Sequence, residues 1–219
     1  MIPYELPLFP LNTVLFPGQP LQLHIFEERY QRMIRLCIES HSPFGIVLIR
    51  KGLEALGPLA EPHKFGTSAS IAQVKELGEG RMNITALGHE RFRIRSLDTA
   101  GAPYLVGTVE NYPLANSDPA ALRLASRRLR PWVEHYLQVL VKAGGVQLHI
   151  EPIPEEPALL GYLAAVLLQV PPEMKQKYLE TQQALDLIVE LFRDYRREMA
   201  LLQVLLSSSH QEAGAFSVN

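Results

Sequence analysis

The sequence predicts an α+β fold: a small amino-terminal β-barrel with one helix, followed by a carboxyl-terminal α-helical bundle. Three observations predict it. Leu21, Leu23 and Ile25 alternate with Gln22 and His24, the period of a strand with one face buried, and after Phe26 the period becomes helical. From Pro3 to about Leu114 most segments read as short strands. After Asn111 to Pro119, a stretch rich in Pro, Asn, Ser and Asp, every segment reads as helix. The expected division is a β-rich unit at 1–114, a helical unit at 115–208 and a flexible tail at 209–219, since the ending from Ser207 is small and polar.

The first strand is expected to be broken twice. Pro7, Pro10, Pro17 and Pro20 cannot donate to a sheet ladder, so they confine Leu6 to Phe16 to short pieces and turns. Tyr30, Met33, Ile34 and Cys37 then recur at helical spacing, and Glu27 and Glu28 stand in the first turn, where carboxylates complement the helix dipole. Phe44 to Ile49 is a short apolar run, whereas Lys51 to Pro62 has no clear period and reads as a loop. Gly78-Glu79-Gly80 supplies turn chemistry for a hairpin joining the strand that ends near Val74 to the one that starts near Met82. Arg91, Arg93 and Arg95 alternate with Phe92 and Ile94, which predicts a row of three arginines outside and the apolar pair inside. Tyr104 to Val109 is the last strand. Short strands around a single helix point to a closed or half-closed barrel rather than a doubly wound sheet.

In the second half, Asp118 or Ser117 can cap a helix with Pro119 in its first turn. Its stripe runs through Leu122, Ala125, Leu129, Trp132, Val133, Tyr136 and Leu140 to Gly144-Gly145, with Pro131 expected to kink or interrupt it. A second helix starts near Pro157, carries Leu160, Leu163, Val166 and Leu167, and stops by Pro171-Pro172. The last helix places Leu185, Ile188, Phe192, Tyr195, Met199, Leu202 and Leu206 on one seam. Leu187, Leu191, Leu201, Val204 and Leu205 lie beyond it, so this helix is either central in its bundle or shared with a second subunit.

Composition narrows the function classes. The 219 residues are 47% apolar and 20% charged, which argues against extensive disorder, and the formal net charge of -2 provides no field for nucleic acid or an anionic membrane. The single cysteine, Cys37, cannot build a disulfide framework or a multi-cysteine zinc site within one chain. The opening residues lack the pattern of a signal peptide and no apolar run approaches the length of a membrane span, so a cytoplasmic location is expected.

Chemistry is sparse as well. No Gly-Lys pair is present to complete a phosphate loop, and no two histidines stand at the spacing that places two imidazoles on one helical face. His89-Glu90 resembles half of a zinc motif, but Arg93 occupies the place of the second ligand. No Gly-x-Ser-x-Gly elbow occurs, and Cys37 on an apolar stripe reads as a packed thiol. Arg123, Arg127, Arg128 and Arg130 form a basic patch best read as a solvated face. Catalytic residues, metals and cofactors are therefore not expected.

The blocks Leu6-Pro7-Leu8-Phe9-Pro10-Leu11, Phe16-Pro17-Gly18 and Pro20 through Phe26-Glu27-Glu28-Arg29-Tyr30 together resemble the amino-terminal substrate-binding domain of the ATP-dependent Lon proteases. The resemblance extends through Phe44-Gly45-Ile46-Val47, Gly66-Thr67-Ser68-Ala69, Gly80-Arg81 to Ile94, and Pro103-Tyr104-Leu105. The chain is similar also to the Lon-like domain of cereblon. The resemblance implies a PUA-like pseudobarrel and recognition of unfolded or tagged protein partners. The chain stops where a Lon protease would continue into its ATPase module, so a stand-alone, non-enzymatic binding module is expected. Such a barrel leaves an edge or groove where an extended peptide adds main-chain hydrogen bonds. Candidate contact residues are His24, Phe26, Phe44, Gly45, Arg91, Arg93 and Tyr104. A small-molecule or RNA-binding sensor and an enzyme with an unrecognised site stay open as alternatives, and homo-oligomerisation through the last helix is a further possibility.

Overall fold

The computed structural model describes residues 2–115, 118–144 and 153–215, with the backbone alone for 143–144 and 203–215. The element order is β1 (Tyr4–Leu11), β2 (Pro20–Ile25), α1 (Glu28–Ser40), β3 (Phe44–Lys51), β4 (Glu61–Gly78), β5 (Arg81–Asp98), β6 (Leu105–Asn111), α2 (Pro119–Gly144), α3 (Pro157–Leu167), α4 (Pro172–Glu180) and α5 (Ala184–Ala215). Two compact units divide the chain: residues 1–115 with 169–182, and residues 116–168 with 183–219. The short helix α4 thus belongs with the strands, whereas the sequence reading assigns all of 115–208 to the helical unit.

In the first unit six strands form one mixed sheet in the order β2-β5-β4-β3-β1-β6, and β6 also pairs with β5. The β1–β3 ladder is parallel and all others are antiparallel. β1 is a single strand, not the twice-broken one that its prolines suggest. It pairs with β6 through Tyr4 to Leu8 and with β3 through Leu8 to Leu11. Each half has a partner on one side, so each proline has an unpaired side toward which its missing donor can point.

Phe16-Pro17-Gly18-Gln19 closes a turn in which Gly18 takes φ 80° and the Gln19 N–H donates to the Phe16 carbonyl at 3.1 Å. The β4–β5 hairpin turns on Glu79 and Gly80, both at positive φ (52° and 77°), as its sequence predicts. Helix α1 buries the expected stripe, Tyr30, Met33, Ile34 and Cys37. These side chains join Phe9, Leu15, Ile25, Phe44, Ile46, Met82 and Ile84 in one core, while Leu6, Leu8, Val47, Phe92 and Val109 form a second.

Helix α4 is absent from the sequence reading, although Pro172 at its start and Glu173 in its first turn are ordinary helix-start signals. It is held to the sheet by buried polar contacts. The Arg91 guanidinium donates to the carbonyls of Leu179 and Thr181, both at 2.7 Å, and lies over the Tyr112 ring at 5.1 Å. Gln176 Nε2 donates to the Phe65 carbonyl at 3.1 Å, and His63 faces Glu180. A cation on the last carbonyls of a helix is favoured by the dipole, and burial strengthens it.

In the second unit α2, α3 and α5 pack against one another. The Asp118 side chain accepts from the Ala120 N–H at 2.9 Å, the expected cap, while Ser117 lies outside the described residues. Helix α2 runs through Pro131 without interruption and buries Leu129, Val133, Tyr136 and Leu137. Arg130, read from sequence as part of a solvated patch, donates to the carbonyls of Ile153 and Pro154. Helix α3 buries Leu160, Gly161, Tyr162, Ala164 and Ala165, with Gly161 close to Leu187 and Ile188 of α5, whereas Leu163 and Val166 are half-buried. The α5 seam is likewise displaced. Leu187 and Leu191, assigned beyond the seam, are fully buried with Ile188, Tyr195 and Met199, whereas Leu185 and Phe192 are half-buried and Leu201 is exposed. The backbone of α5 continues to Ala215, past Ser207, where a tail was expected; the side chains of Val204, Leu205 and Leu206 lie outside the described residues. Tyr195 anchors the packing by donating to the Ala164 carbonyl at 2.9 Å.

Replacing Arg91 by Met deletes two charge-assisted hydrogen bonds to α4 and is expected to cost about 2–4 kcal/mol. Amide exchange of Lys177–Thr181 should accelerate more than that of β4 and β5; equal protection of these amides in R91M would show that α4 is held by other contacts.

Candidate functional site

The seven sequence candidates do not form one surface. Phe44 is fully buried against α1, and Tyr104 is buried beside it in the same core. Gly45 is buried where a Cβ would stand 2.7 Å from Leu8 Cδ2 and Phe92 Cζ, so its role is close approach of strands rather than contact with a ligand. Arg91 is 2% exposed and spent on α4, which corrects the expected outer row of arginines. Of that row Arg93 lies half-buried over Phe65 at 5.9 Å and Arg95 pairs with Glu110 at 2.6 Å, while Phe92 is buried as expected. A basic face ready for nucleic acid is thus not assembled by these residues.

His24 and Phe26 are the two candidates that share an exposed surface. Their rings stack with centroids 5.8 Å apart, and Phe26 is 43% exposed. His24 Nδ1 stands 2.7 Å from Asn83 Oδ1 on β5, its direct partner in the ladder. The Phe26 carbonyl accepts from Gln31 Nε2 of α1 at 2.9 Å, which fixes the chain where strand becomes helix. Beside this pair a groove of about 720 Å³ crosses the outer face of β2, β5 and β4, lined by Gln22, His24, Val74, Lys75, Asn83 and Thr85. Val74 is 43% exposed. Sequence alternation places Asn83 and Thr85 on the outer face, but it cannot supply the register that sets Asn83 opposite His24.

Two other polar clusters occur. Tyr4 donates to Asn111 Oδ1 at 2.9 Å, Asn111 donates to Glu90, and His89 Nε2 lies 2.7 Å from Ser70 Oγ. Burial and then the Glu90 charge push the Tyr4 phenol above its ordinary value. The segment between β3 and β4 is tied down by Glu54, which accepts from the Asn12 N–H at 2.8 Å, and by Arg29, which donates to the Gly57 carbonyl at 3.1 Å and pairs with Glu27 at 2.8 Å. Among the described residues no group of three His, Cys, Asp or Glu side chains is placed to hold a metal ion, and no helix is long and apolar enough to cross a membrane.

Residues 5–193 match the family model of the ATP-dependent protease La (LON) substrate-binding domain. The chain belongs to the Lon substrate-binding domain family. Lon protease 2 of Myxococcus xanthus is 26% identical over 205 residues, covering 91% of this chain and 25% of that protein. The Lon protease of Paraburkholderia phytofirmans is 29% identical over 171 residues, 78% of this chain and 21% of its own length. The chain therefore spans about a quarter of the curated relatives it matches. Among solved structures, a Lon N-terminal domain protein from Xanthomonas campestris aligns with TM-score 0.63 and 25% identity over 87% of this chain and 98% of its own. The N-terminal domain of a Mycobacterium avium complex Lon protease aligns with TM-score 0.61 over 88% of this chain and 97% of its own, and at 15% identity it shows the fold alone. The Lon N-terminal fold expected from the opening motifs is thus the fold of this chain.

Two outcomes test the structural roles assigned here. Gly45→Ala should destabilise the first unit by about 1–3 kcal/mol through overpacking against Leu8 and Phe92, read from urea unfolding. Burial raises the Cys37 thiol above its ordinary value, so less thiolate is present at any given pH. Iodoacetamide at pH 8 should modify Cys37 far more slowly in the native protein than in urea; equal rates would place the thiol at the surface.

Proposed function

We propose that this chain is a non-catalytic recognition module that binds polypeptide segments, as an adaptor, sensor or holdase rather than as a hydrolase. The observation that carries the reading is the match of residues 5–193 to a substrate-binding domain, the part of a Lon protease that its family name assigns to holding substrate. The exposed His24–Phe26 stack beside a shallow groove supports it, since an aromatic half open to solvent on a rigid strand end is the kind of anchor that protein partners bury.

The finer reading of the fold belongs to the same proposal. Ladders run from β1 to β3, β4, β5, β6 and back to β1, which supports a small closed barrel carrying β2 on its outside. The mutual packing of α2, α3 and α5 supports a helical bundle. Val189 and Leu201, each 52% exposed on α5, are where a second subunit would bind if the bundle is shared. A cytoplasmic location is proposed on the lone, buried cysteine.

Purified protein should bind a fluorescein-labelled, reduced and alkylated unfolded protein saturably and its native counterpart not at all, measured by anisotropy. Phe26→Ser should weaken that binding about fivefold. Binding of neither form, or hydrolysis of ATP or peptide by homogeneous protein, would overturn the proposal.

A further inference from the structure

The free side of β2 is a set of unpaired backbone groups whose positions follow from its ladder. β2 pairs with β5 alone among the described residues, from Pro20↔Leu87 to Ile25↔Met82, without a register shift. Just before that ladder, Gly18 N–H donates to the Gly88 carbonyl at 2.9 Å and Gly88 N–H donates to the Gln19 carbonyl at 3.0 Å. These bonds make a bulge in which Gly18 and Gln19 oppose Gly88, and they fix the phase of everything that follows. Hydrogen-bonded pairs fall at Leu21, Leu23 and Ile25, so Pro20, Gln22 and His24 turn their backbone groups away from β5. Pro20 obeys the same phase independently: its missing donor would have pointed outward, the position a strand proline tolerates.

The free edge therefore offers the N–H and C=O of Gln22 and of His24, with the Pro20 carbonyl beyond them. Natural sheets protect such edges with charge, proline, short length, bulges or covering elements, and of these β2 has Pro20 at one end and its six-residue length. Within Pro20–Ile25 there is no charged residue and no bulge, and Leu21 and Leu23, although they point to the core, stay half-exposed. Only an extended main chain presents donors and acceptors at the spacing that pairs with this row.

Resting on the polypeptide-binding reading above, we propose that an extended, proline-free segment of a partner polypeptide adds as a strand to the free edge of β2. Its backbone pairs with Gln22 and His24, and the His24–Phe26 stack flanks its side chains. Recognition is directed to the main chain, so it selects against proline in the bound segment rather than for particular side chains.

The probe is a labelled ten-residue peptide of alternating valine and threonine, alongside the same peptide methylated on every central amide. Gln22→Pro removes one outward donor and none that β5 uses. The wild type should bind the unmethylated peptide at least about tenfold more tightly than the methylated one, and Gln22→Pro should lose about the same factor, while F26S loses less. If Gln22→Pro fails to fold, the methylated peptide on wild-type protein decides. Equal binding of both peptides overturns the edge assignment and leaves polypeptide recognition standing, whereas no binding of unfolded protein or peptide overturns both. A concentration-dependent dimer that Gln22→Pro abolishes and peptide does not displace would give the edge to a second copy and overturn the proposal.

Discussion

The first unit depends on the length of β5. Eighteen residues in one strand pair with β4 along one side, while the other side is shared in succession by β2 at residues 82–87 and β6 at residues 92–98. At about 3.3 Å per residue such a strand is too long for one flat sheet, and register shifts against β4 at Thr67/Ala69 and Ile71/Gln73, and against β6 at Ile94/Ser96, let it bend between its neighbours. The division of its second side has a consequence for β2. Beyond Leu87 the side passes toward β6, so β2 is short and, among the described residues, pairs with β5 alone.

Arg91 sits at the place where β5 changes neighbours, one residue before Phe92 enters the ladder with β6. Burying a guanidinium is costly unless its donors are satisfied, and the carbonyls at the end of α4 satisfy two of them. This explains why a helix distant in sequence joins the strand unit. The interval between α3 and α5 is not a linker but a piece of the sheet's cover, held by backbone carbonyls that the end of α4 leaves without an intrahelical partner.

Those two features mark the boundary of what the sequence discloses. Local patterns were legible: the α1 stripe of Tyr30, Met33, Ile34 and Cys37, the Phe16-Pro17-Gly18 turn and the Glu79-Gly80 turn each follow from spacing or from a required φ. Non-local pairing was not. Pro7 and Pro10 read as strand breakers because the sequence does not say that β1 changes partners at Leu8. Alternation put Arg91 in step with Arg93 and Arg95, but it cannot distinguish solvent from a helix terminus arriving from residue 179. On α5 the apolar residues lie nearly all round, so the pattern alone left its buried side ambiguous, and packing chose Leu187 and Leu191. Of the seven candidate residues, His24 and Phe26 share an exposed surface at the end of β2, whereas Phe44, Gly45 and Tyr104 are buried, a difference that strand alternation alone does not show.

A recognition surface built on backbone groups solves a physical problem that side-chain pockets do not. A module that meets many unfolded sequences cannot match their side chains, but every extended segment without proline carries the same main-chain donors and acceptors at the same repeat. The cost of such a surface is an edge that invites self-association. Its restriction to six residues, closed at one end by Pro20 and a bulge and at the other by the start of α1, limits that hazard, because few hydrogen bonds form and two such edges gain little from pairing. In the proposed mode, added affinity would have to come from flanking apolar contacts such as Phe26, which would make binding weak, reversible and tolerant of sequence. Those are the properties that the proposed capture of a chain, followed by its release, would require.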